Sequence, residues 1–356
     1  MMGPMKNKKL ILIFLFLVFA LVLTSCSGTL AASSWPGISG DNENVYASFA
    51  NRIYSLRLKD GSLNWHYPEK IEAARTFFAP PAINGNNIYV GDYKNVFYSF
   101  NKDTGAKNWE FTGATNRYIG GAVVVNDLIL APNADSTLYA LDLNGNLQWK
   151  FTTEHALWSP PVVDGEIVFL SSMDHFLYAL DLNSGSKIWG MDMGGAIVYS
   201  PTLENGSLLV ATMANEVISV NKSDGSVVWK NKVPDGLWCQ PVAKDGIVYY
   251  GDALGKIYAV STSDGSIQWD YNMGEMVSGA PAIMETGIVF AGENGKLVAL
   301  DFNGELLWNR TVNGKLYTGP VVVDNQLILG IVQGDAVIHT FNFEGTEIWT
   351  PFTPSK

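Results

Sequence analysis

Four histidines and two cysteines are the residues of this chain most suited to metal or nucleophilic chemistry. No two histidines have the short spacing of metal ligands, so we expect surface or turn positions for His66, His155, His175 and His339. The sequence contains no Gly-X-Ser-X-Gly elbow and no phosphate-binding Gly-Lys-Ser/Thr loop. Two cysteines cannot build a disulfide framework or a four-thiolate zinc site. The sequence therefore predicts a protein that is not an enzyme and has neither metal nor cofactor.

The first cysteine, Cys26, is a candidate site of lipid attachment. Residues 1–9 carry three lysines and no acid, and residues 10–23 are an unbroken apolar run. Fourteen helical residues span about 21 Å, less than the roughly 30 Å of a bilayer core, which favours a signal peptide over a transmembrane helix. Leu23-Thr24-Ser25-Cys26 resembles the bacterial lipobox, which implies acylation of that cysteine; an ordinary signal peptide is the alternative. We expect a lipoprotein signal peptide at 1–25, a lipidated flexible tether at 26–34 and one folded domain at 35–356.

The charge balance bears on the class of partner. The 356 residues are 47% hydrophobic, as in a packed globular protein, and carry a net charge of −11. Removal of residues 1–25 would leave 20 basic and 34 acidic side chains, a net charge of −14. Nucleic-acid binding depends on clustered Lys and Arg, so we expect no nucleic-acid partner.

Eight tryptophans recur about every 40 residues, each with a glycine four positions earlier. Such a period indicates a solenoid or a propeller. We expect each glycine to supply the positive φ of a hairpin turn and each indole to fill the gap between neighbouring sheets. The tryptophans are Trp65, Trp109, Trp149, Trp189, Trp229, Trp269, Trp308 and Trp349; the glycines are Gly61, Gly105, Gly145, Gly185, Gly225, Gly265, Gly304 and Gly345.

The pattern between these tryptophans is one of short strands and tight turns. Residues 161–191 show it best, with four alternating apolar segments separated by Gly-, Asn- and Asp-containing turns. No helical periodicity appears after residue 35. The sequence predicts an all-β fold, an eight-bladed β-propeller of four-stranded antiparallel blades. Ring closure stays open, because the glycine-rich residues 36–41 make a poor strand: either they pair weakly or the chain ends overlap differently.

A second series of aromatic residues precedes the blade tryptophans by about 31 positions. It falls in the loops that lead from one blade's outer strand to the next blade's inner strand, so all eight positions should share one face of the ring. Two are not aromatic, Val198 and Ser278. The other six are Trp35, Phe78, Tyr118, Trp158, Trp238 and Tyr317. Two interpretations are open: they form an aromatic collar that binds a partner, or they pack as wedges between blades.

The run Tyr178-Ala179-Leu180-Asp181, followed by Gly185 and Trp189, resembles the PQQ-type propeller repeat. The resemblance extends over essentially all of residues 35–356. The aspartate that the repeat uses for a docking hydrogen bond is replaced by Arg57 in the first unit and by Ser261 in the sixth. The resemblance therefore does not imply this hydrogen bond for the first and sixth units.

The repeat family includes quinoprotein dehydrogenases and non-catalytic scaffolds, so the fold alone does not decide function. The dehydrogenases typically have adjacent cysteines, whereas Cys239 has no cysteine neighbour. The repeat together with the lipobox resembles the lipoprotein propellers of the outer-membrane β-barrel assembly machinery. That resemblance implies a scaffold that binds envelope proteins, among them a β-barrel insertase and unfolded barrel clients.

The same resemblance implies a location: a lipid anchor on the periplasmic face of an outer membrane, or on the cell surface where no outer membrane exists. Ser27 after the lipidated cysteine permits outer-membrane placement. Strand addition at the exposed outer edge of a blade is a second route for client binding. The alternatives are an envelope lipoprotein that binds glycan or another surface partner and, less favoured, a PQQ-dependent dehydrogenase.

Overall fold

Eight small antiparallel sheets follow one another along the chain, each built from consecutive strands. The structure is a computed structural model that describes residues 35–72 and 74–354; the predicted signal peptide, Cys26 and the tether lie outside them. Seven sheets have four strands and the last has three. Within the described residues no helix is long and apolar enough to cross a membrane. The all-β, eight-bladed propeller predicted from the repeat is confirmed.

The strands of the first four blades run from the inner to the outer edge in chain order. They are β1 (Gly37–Gly40), β2 (Asn44–Phe49), β3 (Arg52–Arg57) and β4 (Leu63–Tyr67); β5 (Ala82–Asn84), β6 (Asn87–Gly91), β7 (Phe97–Asn101) and β8 (Lys107–Phe111); β9 (Val123–Val125), β10 (Leu128–Pro132), β11 (Thr137–Asp142) and β12 (Leu147–Thr152); β13 (Val162–Asp164), β14 (Ile167–Ser171), β15 (Phe176–Asp181) and β16 (Lys187–Asp192).

The second half of the ring repeats this order. Its strands are β17 (Thr202–Glu204), β18 (Ser207–Thr212), β19 (Glu216–Asn221) and β20 (Val227–Lys232); β21 (Val242–Lys244), β22 (Ile247–Gly251), β23 (Lys256–Ser261) and β24 (Ile267–Asn272); β25 (Val277–Ile283), β26 (Ile288–Gly292), β27 (Lys296–Leu300) and β28 (Leu306–Thr311); β29 (Val321–Val323), β30 (Gln326–Gly330) and β31 (Ile338–Phe341).

The hydrophobic core lies between neighbouring blades. The middle strands of each blade are buried on both faces, as β10 and β15 show. One cluster joins Leu130 and Leu138 of the third blade to Leu170 and Leu180 of the fourth. A single four-stranded sheet cannot bury both of its faces, so each blade depends on its two neighbours for stability.

Each blade tryptophan docks on the glycine-containing turn of the next blade. The indole N–H donates to a turn carbonyl, from Trp65 to Lys102 O at 2.8 Å and from Trp149 to Leu182 O at 3.0 Å, and all eight tryptophans repeat this bond at 2.6–3.3 Å. A Cβ on Gly105 would lie 2.6 Å from Cδ2 of Trp65. The repeated glycine is therefore required twice, for its positive φ and for the space that the indole occupies.

Ring closure uses the same contact. The glycine-rich stretch forms a regular inner strand, with Gly37 paired to Ser48 and Gly40 paired to Val45. The fourth-strand position of the last blade is held by two isolated bridges, Phe341 with Glu347 and Ile338 with Phe352. Between these bridges Trp349 donates its indole N–H to Leu58 O of the first blade at 3.1 Å. The first and last blades therefore meet as neighbours, and neither contributes a strand to the other's sheet.

The two turns that have neither aspartate nor asparagine at the family's aspartate position use an aspartate three residues later. In the fourth blade Asp181 accepts the backbone N–H of Ser184 at 2.8 Å. Where Arg57 replaces that residue, Asp60 accepts the N–H of Ser62, and where Ser261 replaces it, Asp264 accepts the N–H of Ser266, both at 3.0 Å. In these two turns a carboxylate from a later position therefore accepts a turn N–H.

Gly105→Ala should destabilise the propeller more than Gly85→Ala, although both glycines have a positive φ and lie in turns of the same blade. At Gly85 (φ 55°) no atom lies within 4 Å of an added Cβ, so only the left-handed backbone costs free energy, about 1 kcal/mol. At Gly105 (φ 69°) the added methyl also overlaps Trp65, which costs about 1–3 kcal/mol more. Urea unfolding measures both variants; equal losses would contradict a steric role for the indole.

Candidate functional site

One face of the ring is formed by two sets of loops, those that join each outer strand to the next inner strand and those that join the second and third strands. We call it the loop face. Backbone hydrogen bonds connect the two sets, as from Met173 N to Ala156 O at 3.1 Å and from Met213 N to Ala196 O at 2.9 Å. Similar bonds reach the neighbouring blade, from Tyr118 N to Asp92 O at 3.1 Å. The loops therefore form a continuous, braced surface.

The six aromatic residues of the predicted collar fall into an exposed and a buried group. Phe78 and Tyr118 are 6% and 1% exposed and pack between blades. The other four have exposed fractions between 37% and 46%: Trp35, Trp158, Trp238 and Tyr317. No other Phe, Trp or Tyr side chain in the described part of the chain is exposed to this extent. The exposed aromatic surface of the domain is thus confined to the loop face.

Trp35 and Tyr317 lie together on one side of the loop face. Their ring centroids are 6.5 Å apart, and Trp35 meets the edge of Phe78 at 4.9 Å. Phe78 in turn stacks on Tyr93 at 4.5 Å, and the Arg117 guanidinium lies 5.1 Å from the Tyr93 ring. We call these five residues the Trp35 row. Tyr93 was missed by sequence reasoning because it stands outside the 40-residue aromatic series.

A buried ion pair holds the loop that carries Phe78. Arg75 Nε lies 3.2 Å from Oδ2 of Asp92, which also accepts the Tyr98 hydroxyl at 2.9 Å. Burial is the largest influence and raises the pKa of the Asp92 carboxyl, although its hydrogen bonds and Arg75 act in the opposite direction. The tyrosine of the repeat makes the same bond elsewhere, as from Tyr178 to Asp174 at 2.8 Å. This tyrosine therefore positions the loops of the loop face.

The opposite side of the loop face carries a second exposed apolar group, here named the Trp158–Trp238 patch. It consists of Trp158, Met213, Trp238 and Leu254, from the loops of the fourth to sixth blades. Val233 N donates to Asn215 O at 2.9 Å, and Ala253 N donates to Gly236 O at 2.9 Å, so these loops adjoin one another.

The loops around the Trp158–Trp238 patch carry acidic side chains and no basic ones. No Lys or Arg occurs in the loop-face segments 153–161, 172–175, 193–201, 213–215, 233–241, 252–255 and 273–281. Glu154 and Asp235 are exposed there. The loops that carry the apolar side chains of the patch are therefore acidic.

Two of the four histidines lie in neighbouring loops, where Glu154 N donates to Asp174 Oδ2 at 3.0 Å, and His66 is half-buried in β4. His155 and His175 are exposed on the loop face, while His339 Nδ1 lies 2.8 Å from Glu347 Oε1. In the ranges that the structure describes, no group of three or more His, Cys, Asp or Glu side chains is placed to hold a metal ion.

The outer strands present a third candidate surface. They carry exposed aliphatic side chains close to their first residues, such as Val228, Ile267 and Leu307. Their outer edges lack a strand partner in the sheets of the described residues. An edge of this kind can accept an extended segment through main-chain hydrogen bonds.

Cys239 should be unreactive in the folded protein, although its neighbour Trp238 is exposed. The thiol is fully buried, and burial raises its pKa to about 12. At pH 8 the thiolate fraction is then about 10³-fold below that of an ordinary cysteine. Mass spectrometry after iodoacetamide treatment should show no modification of Cys239 until the protein is unfolded in urea; rapid native labelling would contradict the burial of this loop.

Comparison with known proteins places this geometry in a family. A family model described as outer membrane protein assembly factor BamB matches residues 25–144, 98–192, 174–315 and 255–355. A search of curated protein sequences gave no match.

Three solved structures share the fold. The crystal structure of BamB from Moraxella catarrhalis has a TM-score of 0.74 at 18% identity, covering 86% of this chain and 96% of that one. The computationally designed Ika8 protein has a TM-score of 0.74 at 15% identity, with coverage of 88% and 98%. Quinohemoprotein alcohol dehydrogenase ADHIIG from Pseudomonas putida HK5 has a TM-score of 0.70 at 13% identity, with coverage of 91% and 78%.

Identities this low show the fold alone, whereas the overlapping matches of the family model together cover residues 25–355. The chain therefore belongs to the BamB family of PQQ-type propellers.

Proposed function

We propose that this chain is a non-catalytic scaffold, anchored by lipid at Cys26, that binds other envelope proteins during the assembly of outer-membrane β-barrels. Its family membership supports the role in assembly. In this proposal residues 1–25 are removed, residues 26–34 form the tether and residues 35–356 form the binding domain. The protein acts on the periplasmic face of the outer membrane, with a β-barrel insertase and unfolded barrel clients as partners.

The observation that carries the binding role is the Trp158–Trp238 patch. Two tryptophans with exposed fractions of 37% and 46% present apolar area that remains in water in the free protein. Aromatic side chains dominate the energetics of protein interfaces, because a rigid ring buries a large area at a small entropic cost. The acidic loops around the patch favour a partner surface that carries lysine or arginine.

Clients destined to become β-barrels can use the outer strands. A strand such as β20 offers unpaired main-chain groups on its outer edge, and Val227 and Val228 add exposed apolar side chains. Main-chain pairing does not depend on the client's sequence, which suits a scaffold that serves many barrels. Crosslinking from residue 228 to bound clients would test this route.

The double variant Trp158→Ala/Trp238→Ala should lose partner binding while keeping the fold. Loss of two exposed anchors should weaken the recovery of partners from detergent-solubilised membranes by at least about tenfold. Leu147→Ala, at an equally exposed position on β12, is the matched control and should recover partners normally. Unchanged recovery by the double variant, or the loss of a cooperative melting transition, would remove the patch as the binding site.

Cys26→Ala should release the protein from the membrane. Without a thiol there is no site for acyl chains, and several acyl chains are what hold such a domain stably at a bilayer. Flotation of membranes on a density gradient, with mass spectrometry of the N-terminal peptide, measures the change. A variant that still floats with the membranes would show that the anchor lies elsewhere.

A further inference from the structure

We infer that the Trp35 row contacts the lipid surface itself, the headgroup region of a bilayer that contains anionic phospholipid. The inference rests on the lipid anchor of the proposed function and adds an orientation to it. The Trp35 row faces the lipid, and the Trp158–Trp238 patch, on the opposite side of the loop face, faces the aqueous space.

The short distance along the sequence from Cys26 to Trp35 favours this orientation. Trp35 stands just before the inner strand β1 and contacts Phe78 and Tyr317, both in loops of the loop face. Cys26 stands nine positions before Trp35, which is nine Cα–Cα steps along the backbone. A chain of this length spans at most about 32 Å when fully extended. An acylated Cys26 therefore keeps the loop face, and the Trp35 row in particular, close to the bilayer.

The side chains of the loop face suit a lipid interface, whereas those of the opposite face do not. Trp35 and Tyr317 are each 39% exposed, and tryptophan and tyrosine are the residues that prefer the headgroup level of membranes. The opposite face consists of turns such as Lys59–Gly61, Asp103–Gly105 and Asp164–Gly165, which carry polar residues and glycine.

Charge selects one side of the loop face for the membrane. Its basic residues lie in the loops on the side of the Trp35 row: Lys70, Arg75, Lys94, Arg117 and Lys315. Arg75, Lys94 and Lys315 have acidic neighbours, but no ion pair within the described residues involves Lys70 or Arg117, both of which are exposed. The same loops also carry six acids, so the charges on this side nearly balance: Glu69, Glu72, Asp92, Asp135, Glu293 and Asp335. Because the seven loop segments around the Trp158–Trp238 patch carry acids and no bases, an anionic leaflet repels the second side more strongly than the first.

The resulting tilt separates two functions on one surface. The Trp35 row rests on lipid, and the Trp158–Trp238 patch turns away from the bilayer and stays open to proteins. The cation–π contact of Arg117 with Tyr93 keeps a basic group next to the aromatic row, where a lipid phosphate can approach.

Fluorescence quenching by brominated lipid tests the inference on the full acylated protein. The protein is reconstituted in vesicles of about 3:1 phosphatidylethanolamine and phosphatidylglycerol, with or without dibrominated acyl chains. We expect quenching of the parent protein that falls by about twofold or more in Trp35→Leu, because Trp35 is the tryptophan nearest the lipid. The matched control, Trp158→Leu/Trp238→Leu, should keep the quenching. Arg117→Gln should weaken it most with anionic lipid.

Two further measurements separate failure of this inference from failure of the anchor. Mass spectrometry and flotation report acylation and membrane attachment, and thermal melting confirms that each variant is folded. An acylated, floating protein that shows no quenching, or that loses quenching only in the control double variant, would overturn the orientation and leave the anchor intact. Absence of acyl chains on Cys26 would overturn both.

Tyr317→Ser, which leaves all tryptophans in place, should also reduce quenching; an unchanged value would count against the Trp35 row.

Discussion

The whole ring depends on one contact repeated eight times, an indole on the outer strand of one blade lying on the turn glycine of the next. The contact combines a directional hydrogen bond with a large apolar area, and the glycine leaves room for the indole. Each blade needs a neighbour on both sides to cover its apolar faces. A ring with one open interface would therefore leave two such faces in water. The eighth contact, between Trp349 and Leu58, is therefore as necessary as the other seven.

The two faces of the ring differ in how much they vary from blade to blade. The indole contacts fix the turns between third and fourth strands, and these turns are nearly alike from blade to blade. The loops on the other face are held by backbone bonds and by tyrosine–aspartate pairs such as Tyr98 with Asp92, which tolerate different side chains at their tips. Aromatic, acidic and basic residues can accumulate there without disturbing the seams, which is why the candidate binding surfaces lie on that face.

The blade number, the strand order and the role of the repeated tryptophan could be predicted from the sequence, because spacing alone carries them. The second role of the glycine could not, since the clash of a Cβ on Gly105 with Trp65 depends on the distance between two blades. The closure of the ring could not be predicted either. Gly37–Gly40 has a poor strand propensity, but it forms a strand because it pairs with β2 and packs against the last blade. In the collar, periodicity placed six aromatic residues in equivalent loops but could not tell that Phe78 and Tyr118 turn inward. Tyr93 lies outside any series, so only coordinates reveal its stacking on Phe78.

The position of β1 has a mechanical consequence. A force applied to the chain ahead of Trp35 enters the ring at its innermost strand, not at its rim. This four-residue strand is bonded along one edge to β2, and the adjacent Pro36 packs on Gly330, where an added Cβ would lie 2.7 Å away. Because β1 and Pro36 contact both the first and the last blade, a pulling force would act on both blades at once. It would therefore load the interface between these two blades, where the ring is closed.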